Sequence, residues 1–139
     1  MKREQSCCFT GHRPDKLPWG ENESDPRCLA LKRRLEGELT QVYNRGYRHF
    51  ICGMARGCDL YFCEAVLELR SRRPGITLEA AIQHRYTSGC MQRRDRYMVD
   101  HAGLLIAAYD GMTLGGTMYS LTYAMRQGLE TLILDIERK

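Results

Sequence analysis

At 139 residues the chain has the usual length of one domain, so we expect a single domain over residues 1–139. Its composition, 43% hydrophobic and 27% charged, is that of a globular protein, and no apolar run approaches the roughly 20 residues that span a bilayer. A net charge of +4 favours anionic ligands, and no apolar signal region follows the basic N-terminus, so we expect a cytoplasmic protein without membrane contact.

The first apolar run predicts a strand, and a helix follows it. Residues 7–10 form this run, which ends at Gly11. Residues 24–26 (Ser-Asp-Pro) supply a helix cap and a proline for the first helical turn, and Gly46 ends the helix. Apolar residues lie between them at helical spacing: Leu31, Leu35, Leu39 and Val42.

A second unit of strand, turn and helix comes next. Residues 49–52 predict a strand that leads into a glycine-bearing turn at residues 53–59. Helical periodicity then continues to residues 74–75 (Pro-Gly), and residues 76–82 predict a third strand.

The second half of the chain repeats this alternation. A loop is expected at residues 83–89 and a basic helix at 90–101. Residues 104–109 are wholly apolar, as in a central strand buried on both faces. A helix over 115–128 and a strand at 132–134 complete the pattern. The alternation predicts a Rossmann-like, three-layer α/β/α fold with a mainly parallel sheet of about five strands.

Three glycine-bearing turns follow predicted strands. They contain Gly11, then Gly53 and Gly57, then Gly115 and Gly116. Helix N-termini at the carboxyl ends of parallel strands bind anions, and glycine lets a phosphate approach the backbone closely. Together the turns predict a phosphate-binding site. The alternative for each glycine is a tight turn or a close helix crossing.

The first turn offers the richest set of polar groups. Thr10 has a hydroxyl, His12 a ring nitrogen, and Arg13 a guanidinium that can grip phosphate in bidentate fashion, while Pro14 fixes the backbone after them. We predict a ligand contact for Arg13, with a solvated or internally paired arginine as the alternative. His12 could act as an acid or base, but the sequence identifies no carboxylate that would orient it.

Other candidates lie on the later turns and on the basic helix. Arg56 could reach an anion, and Asp59 is placed to interact with the start of its helix, with capping as the favoured interpretation. Residues 92–97 form a basic helical run from which we select Arg94. Thr117 could donate its hydroxyl to an anion or cap its own helix. The predicted ligand- and phosphate-binding residues are Thr10, Gly11, His12, Arg13, Gly53, Ala55, Arg56, Gly57, Asp59, Arg94, Gly115, Gly116 and Thr117.

The seven cysteines predict reduced thiols rather than a disulfide framework. Their number is odd, no export signal precedes them, and no Cys-x-x-Cys pair occurs. We therefore predict buried thiols and no metal site.

Four blocks of the sequence together indicate a family. They are residues 8–14 with 16–17, residues 53–59 with 64–66, residues 90–91 with 93–100, and residues 109–111 with 115–117. In this order they resemble the YpsA-like branch of the SLOG superfamily, named for Smf/DprA and LOG proteins. The resemblance implies a Rossmann-like domain that binds nucleotides or nucleotide derivatives, of the NAD or ADP-ribose kind, and often serves as a sensor.

The chain departs from the family pattern at three points. Proteins of this type usually carry about one further βα unit where Ile82 here runs almost directly to Tyr86. The basic helix still supplies the crossover that a parallel sheet needs, but a wall of the pocket is at risk. Asp95 replaces a typical asparagine and would repel phosphate or pair with Arg94, so we assign it no ligand contact. Met54 replaces a common glycine and narrows the backbone space.

Three functions fit these observations. The first is a nucleotide-binding or sensing module, with a nucleotide-type small molecule as partner and no certain cofactor. The second is a LOG-like nucleotide N-glycosidase, which needs a carboxylate near the ribose. Residues 117–121 offer none, although Glu64 or Asp59 could substitute. The third is DprA-like binding of single-stranded DNA, which the modest charge disfavours. A homo-oligomer is left open, and no catalytic residue is assigned.

Overall fold

Strands and helices alternate along the chain, and the computed structural model describes residues 2–81, 90–110 and 116–136. The strands are β1 (Ser6–Gly11), β2 (His49–Cys52), β3 (Thr77–Ala80), β4 (Leu104–Tyr109) and β5 (Glu130–Asp135). The helices are α1 (Pro26–Asn44), α2 (Cys58–Arg72), α3 (Cys90–Asp100) and α4 (Gly116–Arg126). Every predicted strand and helix is present, with ends shifted by a few residues. The predicted loop at 83–89 and Gly115 lie outside the described residues.

The five strands form one parallel sheet in the order β3-β2-β1-β4-β5. Cys8 on β1 pairs with Ile51 on β2 and with Leu105 on β4, so β1 lies at the centre. The wholly apolar β4, expected to be central, lies between β1 and β5. Strands buried on both faces read as unbroken apolar runs, and β1 and β4 follow this rule. The predicted fold class, a three-layer α/β/α arrangement around a parallel sheet, is confirmed.

The helices cover the two faces of the sheet in pairs, α1 with α2 and α3 with α4. Side chains alternate between faces along each strand, so Phe9 packs on the α1 and α2 side while Cys8 packs on the other. Phe9 stacks on Phe62 of α2 with ring centroids 4.6 Å apart. Val99 of α3 and Leu121 of α4 share the second core with Cys8.

Helix α1 begins and ends at the signals in its sequence. The Asp25 carboxylate accepts a hydrogen bond from the Arg27 backbone N–H at 2.8 Å, and Pro26 occupies the first helical position. Leu31, Leu35 and Leu39 are buried against the sheet. The predicted helix cap is therefore confirmed.

The order of the strands opens a crevice at one edge of the sheet. From β1 the chain continues to β2 on one side, whereas from β4 it continues to β5 on the other. The connections after β1 and β4 therefore diverge, which leaves room for a ligand beyond their carboxyl ends. None of the helices in the described part of the chain is long and apolar enough to cross a membrane.

Candidate functional site

A cavity of about 200 Å³, here called the inner cavity, lies beyond the carboxyl ends of β1 and β4. It receives side chains from the first two turns, from α3 and from the first turn of α4. The lining residues are Phe9, Thr10, Gly11, His12, Arg13, Asp15, Lys16, Ala55, Asp59, Arg94, Asp95, Met98 and Thr117. Its position is the crevice in which open parallel sheets bind their ligands.

A second, more open cavity of about 820 Å³ adjoins it and is called the outer cavity. The two share Arg13, Asp15, Ala55 and Arg94 in their walls. The outer cavity is lined further by Pro14, Gly20, Glu21, Gly53, Met54 and Arg56. A ligand longer than a single phosphate group would therefore extend from the inner into the outer cavity.

The first two turns pack directly on each other through glycine. A Cβ atom on Gly11 would lie 2.5 Å from Cβ of Cys58, at the start of α2. Gly57 has φ +88°, and a Cβ there would lie 2.8 Å from the backbone oxygen of His12. The Cys58 N–H donates to that same oxygen at 3.2 Å. Both glycines thus have the packing role that was the alternative to phosphate contact, and this packing holds the two turns beside one cavity.

His12 and Asp110 share a buried hydrogen bond. The His12 Nε2 lies 3.0 Å from the Asp110 Oδ1, with side chains 3% and 0% exposed. His12 follows β1, and Asp110 follows the neighbouring β4. No carboxylate that would orient His12 was identified from the sequence, and the structure supplies one in Asp110. The signal was present, because residues that follow adjacent parallel strands meet at the same edge of the sheet.

Asp59 presents a buried carboxyl group to the inner cavity. It accepts a hydrogen bond from the Ala55 backbone N–H at 3.1 Å, so it closes the second turn rather than serving as the N-cap of α2, which is Gly57. Burial raises the pKa of Asp59 from 3.8 to about 6, although the Ala55 N–H and the charge of Arg94 act in the opposite direction. A carboxyl with such a pKa can exchange a proton near neutral pH.

Arg94 reaches from α3 across the second turn. A Cβ atom on Gly53 would lie 2.9 Å from the Arg94 Cζ, so the guanidinium rests on the glycine backbone. Its Nη2 lies 3.7 Å from Oδ1 of Asp95. Among the described residues the buried Arg94 Nε has no hydrogen-bond partner. A buried guanidinium N–H without an acceptor costs free energy of folding, and an anion that accepts from it would remove this cost.

Asp95, to which no ligand contact was assigned from the sequence, lies at the inner cavity. Its side chain is buried and lines the inner cavity. Burial raises the pKa of Asp95, while the charge of Arg94 acts in the opposite direction. Family resemblance pointed away from this position, because a carboxylate repels phosphate. The rotation of α3 nevertheless points Asp95 into the cavity.

The charges of the inner cavity are balanced in number. Three cationic and three carboxylic side chains line it: Arg13, Lys16, Arg94, Asp15, Asp59 and Asp95. A site for phosphate alone would not need the carboxylates, whereas a ligand with both phosphate and hydroxyl groups could use both signs. Lys16, Asp15 and Asp95 were not among the predicted site residues.

The structure brings most of the predicted site residues to the two cavities. The inner cavity receives Thr10, Gly11, His12, Arg13, Ala55, Asp59, Arg94 and Thr117. Gly53 and Arg56 border the outer cavity, where the exposed Arg56 forms an ion pair with Glu21. Gly57 packs against the first turn and lines neither cavity. Gly116 begins α4, and Gly115 is outside the described residues.

Comparison with known proteins supports the resemblance noted in the sequence. The sequence profile of the YspA SLOG family (YpsA) matches residues 7–83, which is more than half of the 139-residue chain. The match spans β1 to β3 and includes the first two turns. The third and fourth blocks of the resemblance lie beyond it. No curated protein matches the chain in sequence.

Proposed function

Because the chain belongs to the YspA SLOG family, we propose that it binds a nucleotide or nucleotide derivative, of the NAD or ADP-ribose kind, with a phosphate group in the inner cavity. In this proposal the protein is a binding or sensing module. The observation that carries the proposal is the arrangement of Arg94 over Gly53, with its Nε buried and without an acceptor among the described residues.

A phosphate group would complete the hydrogen bonding of Arg94. The phosphate oxygens accept hydrogen bonds from a guanidinium in bidentate geometry. Such charged hydrogen bonds are stronger than hydrogen bonds between uncharged groups. Arg13 lines the same cavity from the opposite turn, and Thr10 and Thr117 add buried hydroxyl groups. These groups come from three separate elements, as expected for a site that surrounds its ligand.

The carboxylates favour a ligand with sugar hydroxyls beside its phosphate. Asp59 and Asp95 are buried beside Arg94, and an ionised carboxylate accepts hydrogen bonds from hydroxyl groups. A ribose phosphate carries donors and acceptors within one compact unit. The outer cavity then offers room for a base or for a second nucleotide half.

A second candidate function, hydrolysis of a nucleotide N-glycosidic bond, is favoured by the buried carboxyl group of Asp59 at the inner cavity. The pKa of about 6 at Asp59 suits a group that gives or takes a proton near neutral pH. Asp59 would then stand in for the carboxylate that residues 117–121 lack. We rank this reaction below binding.

A thermal-shift panel of mono- and dinucleotides tests the binding proposal. At a concentration of about 100 times Kd, a ligand stabilises the folded state by about 2.7 kcal/mol, which raises Tm by several degrees. We expect such a shift for at least one phosphate-bearing compound, and a loss of roughly tenfold or more in affinity in Arg94→Ala and in Arg13→Ala. Nucleosides without phosphate should give no shift.

Arg96→Ala is the matched control, because Arg96 is an exposed arginine on the same helix. It should keep the ligand-induced shift. An absence of any shift across the panel, or an equal loss in Arg94→Ala and Arg96→Ala, would overturn the proposal.

Chromatography of the same mixtures detects free base. Base release that disappears in Asp59→Asn would promote hydrolysis to the primary function.

A further inference from the structure

Three sulfur atoms meet beneath the turn that joins β2 to α2. Cys52 ends β2, Met54 lies in the turn, and Cys63 lies on α2. The Sγ atoms of Cys52 and Cys63 are 2.6 Å apart. The Met54 Sδ lies 3.1 Å from the Cys63 Sγ and 3.6 Å from the Cys52 Sγ. We call Cys52, Met54 and Cys63 the sulfur cluster.

The fold already holds the two thiols close to bonding distance. A disulfide bond is about 2.05 Å long, so the Cys52 and Cys63 sulfur atoms need to approach by only about 0.6 Å more. Two sulfur atoms so close leave no room for a metal ion between them, because metal–sulfur bonds are about 2.3 Å each. The geometry therefore favours a bond between the sulfurs over a shared ion.

The two thiols differ in their chemistry. The hydrogen bond between the two thiols lowers the pKa of Cys63 despite its burial and raises the pKa of Cys52. The thiolate is the nucleophile in cysteine oxidation. Cys63 is also the more exposed of the two thiols and lies nearer to Met54, so it is the residue that attacks an oxidant, and Cys52 is placed to resolve the product.

Access to the pair is narrow. Cys52 and Cys63 are 0% and 4% exposed, whereas Met54 is 41% exposed and lines the outer cavity. Met54 also has φ +61°, a conformation that a non-glycine residue adopts at a cost. Met54 therefore lies between the outer cavity and the two thiols, on a path that suits a small oxidant.

We propose that Cys52 and Cys63 form a reversible dithiol–disulfide pair that hydrogen peroxide oxidises. The Cys63 thiolate attacks one peroxide oxygen, the O–O bond breaks, and the other oxygen leaves as water after taking up a proton. The product is a sulfenic acid on Cys63. The Cys52 sulfur then displaces the hydroxyl group, which leaves as a second water with the Cys52 proton. The two cysteines have lost two electrons, which the peroxide has gained.

The bond would change the candidate site directly. It closes the loop from Cys52 to Cys63, which contains the whole second turn and Asp59. Oxidation would thus fix the wall of the cavity on which Arg94 rests. The pairing itself does not depend on the proposed ligand, so the two proposals fail independently.

Peptide mapping of the oxidised full chain tests this proposal. The reduced protein is treated with hydrogen peroxide at low molar excess, alkylated, digested without reductant and analysed by mass spectrometry. We expect the peptides that contain Cys52 and Cys63 to be joined, with the loss of two hydrogen atoms. Dithiothreitol should then restore both thiols.

Cys63→Ala should lose the cross-link and leave Cys52 reduced, whereas Cys52→Ala should accumulate sulfenic acid on Cys63. Cys28→Ala is the matched control, because Cys28 is a buried thiol on α1 beside Tyr61, and it should retain the cross-link. The proposal is overturned if the wild-type chain yields no peptide joining Cys52 to Cys63, whether oxidation occurs elsewhere or not at all. Because this result comes from the unmodified sequence, it stands even if a variant fails to fold.

Discussion

Asp59 illustrates how a single buried residue couples the site to pH. In the folded protein its pKa is about 6, compared with an ordinary value of 3.8. Between these values the folded state holds a proton that the unfolded chain has released. The free energy of unfolding therefore falls as the pH rises from about 4 to about 6, by on the order of 3 kcal/mol, and stays lower above pH 6.

We expect Asp59→Asn to remove this contribution, because an amide does not ionise and its oxygen can still accept from the Ala55 N–H. Urea unfolding at several pH values between about 4 and 7 measures the effect. The variant should lose less stability over this range than the wild type. Asp135→Asn, at an exposed carboxylate on β5, should keep the wild-type profile. Identical profiles for Asp59→Asn and the wild type would contradict the assignment.

At the residue scale, the sequence predicted the types of side chain better than their partners. Thr10 lies near the end of β1 and Arg13 follows that strand, so the end of a single strand was enough to bring both to the inner cavity. The pairing of His12 with Asp110 requires knowing that β1 and β4 are neighbours. The contact of Arg94 with Gly53 depends on the rotation of α3, which the basic pattern of that helix does not determine.

At the scale of elements, two glycines differ in whether the fold requires them. Gly57 has φ +88° and faces the His12 oxygen, whereas a Cβ on Gly37, in the middle of α1, meets nothing within 4 Å. We expect Gly57→Ala to destabilise the protein by at least about 2 kcal/mol, through backbone strain and a clash between the two turns. Gly37→Ala should instead stabilise it by about 1 kcal/mol, because alanine favours a helix.

Chemical denaturation of both variants measures these changes. The pair controls for the glycine-to-alanine replacement itself, since only the position differs. A Gly57→Ala protein as stable as the wild type would mean that the first two turns are not packed together as described.

The same scale explains which elements could be read from the sequence. Helix α1 carries an aspartate cap, a proline and evenly spaced leucines, and each signal is local. Strands β3 and β5 lie at the two edges of the sheet and are partly exposed, and their predicted ends differ from the observed ends by one or two residues. Helix α3 is tied to the sheet, because the Tyr97 hydroxyl donates a hydrogen bond to Glu79 on β3. The same carboxylate lies 2.7 Å from the His49 Nε2 on β2. That connection between distant residues has no local signal.

At the scale of the whole molecule, the parallel order of the strands was predictable as a class but not in detail. The alternation of strands and helices implies parallel strands, while the position of β1 between β2 and β4 follows from how the helices divide between the two faces. The crevice beyond the carboxyl ends of β1 and β4 is thus a property of the complete sheet. It joins residues from the first turn with residues of α3, far apart in the chain.

A ligand in this crevice should protect segments from both halves of the chain. With the nucleotide that gives the largest thermal shift, we expect slower hydrogen exchange in residues 10–16, in residues 53–59 and in α3. The middle of α1 and strand β5 do not line either cavity and serve as internal controls. Protection confined to α1 or β5 would place the ligand elsewhere.

The central place of β1 also has a consequence for synthesis. β1 leaves the ribosome first, and β2 and β3 can join it through α1 and α2, but its other side stays open until β4 has been made. In that interval the growing polypeptide carries an unpaired edge composed of Cys7, Cys8 and Phe9, which are 0% exposed in the finished protein. Unpaired apolar edges recruit other chains. A nascent chain that stalls before residue 104 is therefore expected to aggregate or to need chaperones. In the completed chain, β4 pairs with this side of β1 and buries it.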